Sequence, residues 1–246
     1  MEKLNAFYYM FKGKNWYKSI IIGTILFLPL FWTSTIILTN DPSREYSTYL
    51  ILSALRWLCW FVVMFFISGY CLYNANQRLQ NLTQNTVSWS EIKEITKSGL
   101  KFLGAQWIYA IPLFWILAIT FYIFVTNATG DFYDPQRSKY YPLAIKYTNI
   151  LSIIIGMIIP IAFVSDLKFK TFFNIKKIFL TIKENFGGFL LYIIFASIDF
   201  LGMQYLPIIA TKWQVLTLPL VSFIAYYLML LKSDFLAQLS KISTNE

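Results

Sequence analysis

Hydrophobic and polar residues alternate along the chain in long blocks, and the length of the apolar blocks predicts helices that cross a membrane. A spanning helix needs about 20 mainly apolar residues to cross the hydrocarbon core. Six blocks approach or exceed that length: 19–40, 49–73, 102–125, 147–165, 188–206 and 213–231. The pattern therefore predicts an all-α polytopic integral membrane protein, a helical bundle with six transmembrane helices.

The stretch 166–186 has the pattern of a helix that lies on a membrane surface. A polar stripe recurs there at helical spacing, and a broad Phe-rich side lies opposite, which is typical of an interfacial helix. The stripe consists of Lys170, Asn174, Lys177, Thr181 and Glu184. The candidate ligands for lipid headgroups are Lys168, Lys170, Lys176, Lys177 and Lys183. Gly187 and Gly188 are the predicted hinge into the next span.

The same order of interfacial helix, span, turn and span occurs three times. Residues 1–18 carry an apolar stripe of Leu4, Phe7, Tyr8 and Phe11, and Ser88 to Glu91 fits a capping box that opens a second amphipathic helix. Gly99 and Gly104 mark its predicted transition into a span. We expect one membrane domain of three repeat-like units, 1–76, 77–165 and 166–246, each a hairpin preceded by an interfacial amphipathic helix.

Composition and charge agree with this class and add an orientation. The chain is 57% hydrophobic and 13% charged with a net charge of +9, whereas soluble domains carry about 25% charged residues. Of the 21 lysines and arginines, fifteen fall on one predicted side, five on the other, and Arg56 within a span. Cationic residues concentrate on the cytoplasmic side of membrane proteins, so we expect both termini in the cytoplasm.

Reactive side chains are sparse. The sequence has no histidine, which removes the commonest metal ligand and general base. Cys59 and Cys71 lie ~18 Å apart on a continuous helix, too far to form a disulfide with each other. The sequence contains no motif of the membrane proteases, hydrolases or phosphate-binding loops. We therefore expect no enzymatic activity, no catalytic residue, no cofactor and no metal site.

Asp199 is the strongest candidate for a functional residue within a span. It lies ~17 Å from the inner end of the fifth span, where an ionised carboxylate is costly unless it is paired or neutralised. One interpretation is a proton- or cation-binding site. Another is a structural pair with Arg56, ~25 Å from the inner end of the second span. In a third, the span begins later and Asp199 lies at the outer interface.

Two stretches resemble a known family. The first comprises residues 6–23. The second comprises Gly69-Tyr70 to Arg78, Trp89-Ser90-Glu91, Ser98 to Lys101 and Tyr109 to Pro112. Together they resemble the prokaryotic membrane family called domain of unknown function 4013. The linker before Trp89 is rich in Asn and Gln here, whereas it is usually acidic in that family. The resemblance implies a bacterial or archaeal inner-membrane protein, in the cell membrane or a thylakoid-type membrane, and carries no known activity.

These observations predict a non-enzymatic membrane-organising or assembly factor that binds partner membrane proteins or anionic lipids. The basic residues are interleaved with Phe and Ile, a pattern that favours a lipid surface over nucleic acid. A homo-oligomer is compatible with it. The alternative is a small transporter or channel subunit that uses Asp199 as an intramembrane acid.

Overall fold

The structure is a computed structural model that describes residue 11 and residues 16–39, 46–80, 87–129, 156–213 and 217–241. These residues are almost entirely helical and contain no strand, which confirms the all-α prediction for this part of the chain. The α-helices are α1 (Trp16–Thr39), α2 (Tyr46–Leu79), α3 (Ile92–Thr129), α4 (156–163), α5 (Ile175–Glu184), α6 (Phe186–Trp213) and α7 (Leu218–Lys241). Short 3-10 turns cover Trp89–Glu91 and Phe169–Phe173.

Several of the described helices are long and apolar enough to cross a membrane. Three contain such a segment: Trp16–Ile37, Leu50–Leu79 and Leu218–Ser240. A fourth is formed if α5 and the first part of α6 are counted as one bent span, with 106° between the two helices. These helices are typical of a polytopic membrane protein, while the arrangement of six spans in three hairpins stays a prediction.

Helix α7 is the centre of the bundle, because it packs against α1, α2 and α6. Its buried side chains belong to two apolar clusters. One cluster joins α1, α2 and α7 through Phe27, Tyr70 and Tyr226, and the other joins α2, α3, α4, α6 and α7 through residues such as Phe163 and Phe235. The burial of aromatic rings in both clusters stabilises the contacts among the described helices.

The structure corrects the predicted end of the last span. The last predicted span ends at Leu231, but α7 continues to Lys241. Asp234 in this extension is buried and forms an ion pair with Arg78 of α2. The helix continues because its charged residues meet opposite charges from other helices, while Phe235 and Leu236 enter the second apolar cluster.

The structure also corrects the predicted interfacial helix near residues 88–101. Helix α3 has no break between Ile92 and Thr129, and its 38 residues span about 57 Å at 1.5 Å per residue. Gly99 and Gly104 lie inside this helix and do not mark a transition. Ser88 does cap the 3-10 turn Trp89–Glu91 that precedes α3, since its hydroxyl accepts a hydrogen bond from the Ser90 amide at 3.2 Å. Of the first predicted interfacial helix, residues 1–10 and 12–15 lie outside the described residues.

The third predicted interfacial helix is present in two pieces. The 3-10 turn Phe169–Phe173 precedes α5, and Asn174 separates them while its side chain accepts a hydrogen bond from the Lys177 amide at 2.9 Å. The chain bends at Asn185, not at the predicted Gly187-Gly188 hinge, because both glycines lie within α6. The Asn185 side chain accepts from the Gly188 amide at 3.1 Å, which satisfies one free N–H at the start of α6.

Candidate functional site

The first candidate site is an exposed surface formed by the 3-10 turn, α5 and the start of α6. Large apolar side chains on it are exposed, with Ile175 at 71% and Phe179 at 66%. We call this the interfacial surface, and it comprises Phe169, Phe173, Ile175, Phe179, Leu180 and Phe186 together with Lys168, Lys170, Lys176 and Lys183. Exposed aromatic and cationic side chains are thus combined on one short helical segment.

Four of the five predicted headgroup ligands belong to the interfacial surface. Lys168, Lys170, Lys176 and Lys183 are exposed. Lys177 is half-buried, and its ammonium group donates a hydrogen bond to the Ser165 hydroxyl. The structure therefore gives Lys177 a contact that ties α5 to the end of α4, a role that its place on the predicted polar stripe did not reveal.

The loop before the interfacial surface is held by specific hydrogen bonds. The Asp166 carboxylate accepts from the Lys168 amide at 3.1 Å and from the Thr171 hydroxyl at 2.7 Å. Leu167 has a φ of 52°, a left-handed conformation that is uncommon for a leucine. The Lys101 ammonium group donates to the Leu167 carbonyl. These contacts connect the loop to α3.

Lys101 lies at the base of this loop, next to other charged residues. Partial burial is the main cause that lowers the pKa of Lys101 below 10.5, and the positive charge of Lys97 lowers this pKa further. The carboxylates of Glu94 and Asp166 oppose the shift. The ammonium group is thus a strong donor in an environment that disfavours its charge.

A ring stack and a hydrogen bond attach the 3-10 turn to the bundle. The Phe172 ring is fully buried and stacks on Phe163 of α4, with centroids 3.9 Å apart. The Tyr109 hydroxyl of α3 donates to the Phe172 carbonyl at 3.0 Å. The interfacial surface is therefore attached to the bundle at its start, while the side chains of α5 that face outward are left exposed.

The second candidate site surrounds Asp199, which is 5% exposed. Its carboxylate forms an ion pair with the Lys232 ammonium group of α7. In the interpretation of Asp199 as a structural pair, Arg56 was the expected partner, whereas the structure has Lys232 in that place and Arg56 exposed on α2. The Oδ1 atom of Asp199 is buried and has no hydrogen-bond partner among the described residues. Sequence reasoning missed Lys232 because it placed this residue beyond the end of the last span.

A cavity adjoins this ion pair. It has a volume of about 40 Å³ and is lined by residues of α2, α3, α4, α6 and α7. The lining is largely apolar, and its polar members include Lys232, Ser233 and Tyr192. The Ser233 hydroxyl donates to the Cys71 carbonyl at 2.6 Å, and the Tyr192 hydroxyl donates to the Met157 carbonyl at 2.8 Å.

A second buried polar group lies further along α7. Arg78 Nε and Asp234 Oδ1 are 2.6 Å apart, and the Gln238 side-chain amide donates to Asp234 Oδ2 at 2.7 Å. The side chain of Asn76 donates to the Val164 carbonyl at 2.6 Å. These contacts tie α2 to α7 and to the end of α4. Within the described part of the chain, no group of three or more His, Cys, Asp or Glu residues could hold a metal ion.

Several residues of the family resemblance lie where α2 packs against the start of α3. The Tyr70 ring stacks on Trp89 with centroids 4.5 Å apart, and its hydroxyl donates to the Val87 carbonyl at 2.6 Å. The Tyr73 hydroxyl donates to Glu91 at 2.7 Å. Glu91 therefore bonds to α2, and it does not complete the predicted capping box by reaching back to Ser88.

One comparison with known proteins found a match. A family model described as a protein of unknown function (DUF4013) matches residues 51–211. The matched segment covers well over half of the chain and includes the α2–α3 junction, the interfacial surface and Asp199, whereas Lys232 lies outside it. No curated protein and no solved structure matches the chain. The chain belongs to the DUF4013 family of proteins of unknown function.

Proposed function

We propose that this protein is a non-enzymatic, membrane-organising protein that binds anionic lipid headgroups at the cytoplasmic face and thereby supports the assembly of partner membrane proteins. The observation that carries the proposal is the interfacial surface, where exposed Ile175 and Phe179 accompany the exposed Lys176 and Lys183. Apolar side chains of such a segment insert at the boundary between headgroups and acyl chains, while lysines contact the headgroups.

The charges on this surface have a sign and a number that suit an anionic leaflet. Each lysine near such a surface contributes about 1 kcal/mol of attraction, and salt screens it. The interfacial surface carries four exposed lysines, and Glu184 is the single acidic residue of α5. Lipid binding should therefore weaken with ionic strength and depend on the anionic fraction of the bilayer.

In the proposed topology, this surface lies at the cytoplasmic face of the membrane. Six spans in three hairpins, with both termini on the cytoplasmic side, put the lysine-rich segments on one leaflet, as the distribution of cationic residues favours. The proposed location is a prokaryotic inner membrane or a thylakoid-type membrane. Labelling of single cysteines introduced at Lys93 and Lys176 tests the arrangement, since both positions should react from the same side.

Lipid selectivity in nanodiscs tests the function directly. Nanodiscs with mixed phosphatidylglycerol and phosphatidylcholine would be compared for the wild type and for the double variant Lys176→Gln/Lys183→Gln. Retention of phosphatidylglycerol, measured by native mass spectrometry, should fall by about thirtyfold, since two lysines contribute about 2 kcal/mol.

A matched control is available on α3. Lys93 and Lys97 are also exposed and lie on the same predicted side, outside the interfacial surface with its exposed Phe side chains. The double variant Lys93→Gln/Lys97→Gln removes the same charge and should retain most of the lipid selectivity. An equal loss in both double variants, or no loss in either, would overturn the proposal.

A second candidate function is a small transporter or channel subunit. The ion pair between the buried Asp199 and Lys232, beside a cavity among five helices, favours this alternative. Liposomes containing the protein should then show pH-dependent ion flux that is lost in Asp199→Asn. Unchanged flux in that variant would remove Asp199 from the mechanism.

A further inference from the structure

Lys232 connects the Asp199 carboxylate with the cavity. Its ammonium group contacts Oδ2 of Asp199, and the residue belongs to the cavity lining. Among the lining residues that the structure describes, Lys232 carries the only positive charge. Any anion that enters this cavity would therefore meet one cation, which is already neutralised by a carboxylate.

Charge balance sets the condition for such an anion to stay. The ion pair is neutral as it stands, and an anion added beside it would leave one net negative charge in a largely apolar cavity. Uncompensated charge in that environment is strongly disfavoured. A proton on Asp199 removes the excess, because the carboxyl group becomes neutral and Lys232 becomes the counter-ion of the anion.

We propose that this cavity binds one small monovalent anion together with one proton, with the anion on Lys232 and the proton on Asp199. A hydronium ion transfers its proton to the Asp199 carboxylate, which forms an O–H bond and leaves a water molecule. Lys232 keeps all three of its protons, and one of its N–H groups turns from Oδ2 to the anion.

The geometry of Asp199 suits this proton. Its Oδ2 atom accepts from Lys232, while Oδ1 is buried and has no hydrogen-bond partner among the described residues. Since Oδ2 is engaged by Lys232, Oδ1 is the oxygen of this carboxylate that is open to a proton. The hydroxyls of Ser233 and Tyr192 donate to backbone carbonyls. Ser68 also lines the cavity and is neutral, so the positive charge that an anion needs comes from Lys232.

The other titratable groups around the pair can be named helix by helix. Cys71 of α2 and Tyr192 of α6 are buried and line the same cavity. On α7, Asp234 is paired with Arg78 of α2. None of these groups replaces Asp199 as a proton acceptor beside Lys232.

Among the residues that the structure describes, α1, α3 and α4 contribute no charged side chain to the lining of the cavity. On α3, Lys101 donates to the Leu167 carbonyl. The residues 156–163 of α4 contain no ionisable side chain, and the ionisable residues of α1, Tyr17 and Lys18, are exposed in its first turn. The uptake of a proton with an anion is therefore assigned to the pair of Asp199 and Lys232.

The experiment measures proton uptake when an anion is added. The full-length protein in nanodiscs would be placed in a weakly buffered solution with a pH indicator and titrated with sodium chloride or sodium acetate. Sodium gluconate, whose anion is too large for the cavity, serves as the reference. The wild type should take up about one proton per bound anion, and its affinity should rise about tenfold for each unit of pH decrease.

Variants separate the two roles. Asp199→Asn should still bind chloride or acetate, but with no proton uptake and no dependence on pH. Lys232→Gln should lose anion binding, and Lys232→Arg should keep it, which distinguishes the loss of charge from a failure to fold. The exposed control Lys97→Gln should behave as the wild type.

Three results would overturn the inference. The first is anion binding by the wild type without proton uptake. The second is proton uptake that persists in Asp199→Asn. The third is the absence of chloride and acetate binding by the wild type at acidic pH, in protein that elutes as a single folded species.

Discussion

Gly69 of α2 and Gly99 of α3 face each other, and a Cβ atom added to Gly69 would lie 2.8 Å from the Gly99 nitrogen. A Cβ added to Gly99 would collide with the Phe65 carbonyl. Two glycines at one crossing let the helix backbones approach closely. This contact positions the start of α3 so that Trp89 reaches Tyr70.

Substitution of Gly99 by alanine should therefore destabilise the protein. The added methyl group forces α2 and α3 apart, and overpacking of this kind costs about 1–3 kcal/mol. The unfolding midpoint in detergent should fall in Gly99→Ala. The matched control is Gly187→Ala in α6, where an added Cβ meets nothing within 4 Å, and this variant should be at least as stable as the wild type. Equal midpoints for both variants would contradict the close crossing.

The hydrogen bond from Tyr70 to the Val87 carbonyl makes a separate prediction. Tyr70→Phe keeps the ring stacked on Trp89 and removes one buried hydrogen bond, which should cost about 1 kcal/mol. Tyr70→Ala also removes the ring and should cost about 3–5 kcal/mol. Denaturant titration followed by Trp fluorescence measures both. Tyr205→Phe, at an exposed position in α6, should leave the free energy of unfolding unchanged. A loss of stability in Tyr205→Phe similar to that in Tyr70→Phe would contradict this explanation.

The buried ion pair of Arg78 and Asp234 predicts strong non-additivity. Either Arg78→Met or Asp234→Leu leaves one buried charge without its partner and should cost about 3–5 kcal/mol. The double variant should be more stable than the sum of the two changes implies, because neither charge is left behind. A double-mutant cycle on unfolding free energies measures the coupling. Simple addition of the two losses would show that the charges do not interact.

Lys101 predicts a dependence of stability on pH. Burial lowers the pKa of Lys101 in the folded protein below 10.5, so the unfolded chain binds more protons in the window just below that value. Stability should rise with pH through this window. The stability difference between the wild type and Lys101→Met should shift in favour of the wild type as pH increases from neutral to about 10. Lys93→Met, at an exposed position, serves as the control. A difference that is constant with pH would contradict the burial of the charge.

Local patterns were sufficient for the helical class and for the character of several helices. Apolar runs of hydrocarbon length predicted α1, α2 and α7 as candidate spans, and these contain such segments in the structure. The Phe and Lys pattern of residues 166–186 indicated an amphipathic helix, and α5 is bent by 106° from α6. The length of an apolar run and the amphipathic pattern both depend on residues close in sequence, so both can be recognised in a single sequence.

Long-range contacts decided the rest. The ion pair of Asp199 with Lys232, the ion pair of Arg78 with Asp234 and the packing of Gly99 against Gly69 all join residues at least 30 positions apart in the chain. A charged residue next to an apolar run indicates the end of a span only when no opposite charge is near, and the neighbouring helices determine whether one is. The sequence by itself determined which segments are helical and apolar. The tertiary structure alone decided which charges are compensated, because compensation depends on which helices pack together.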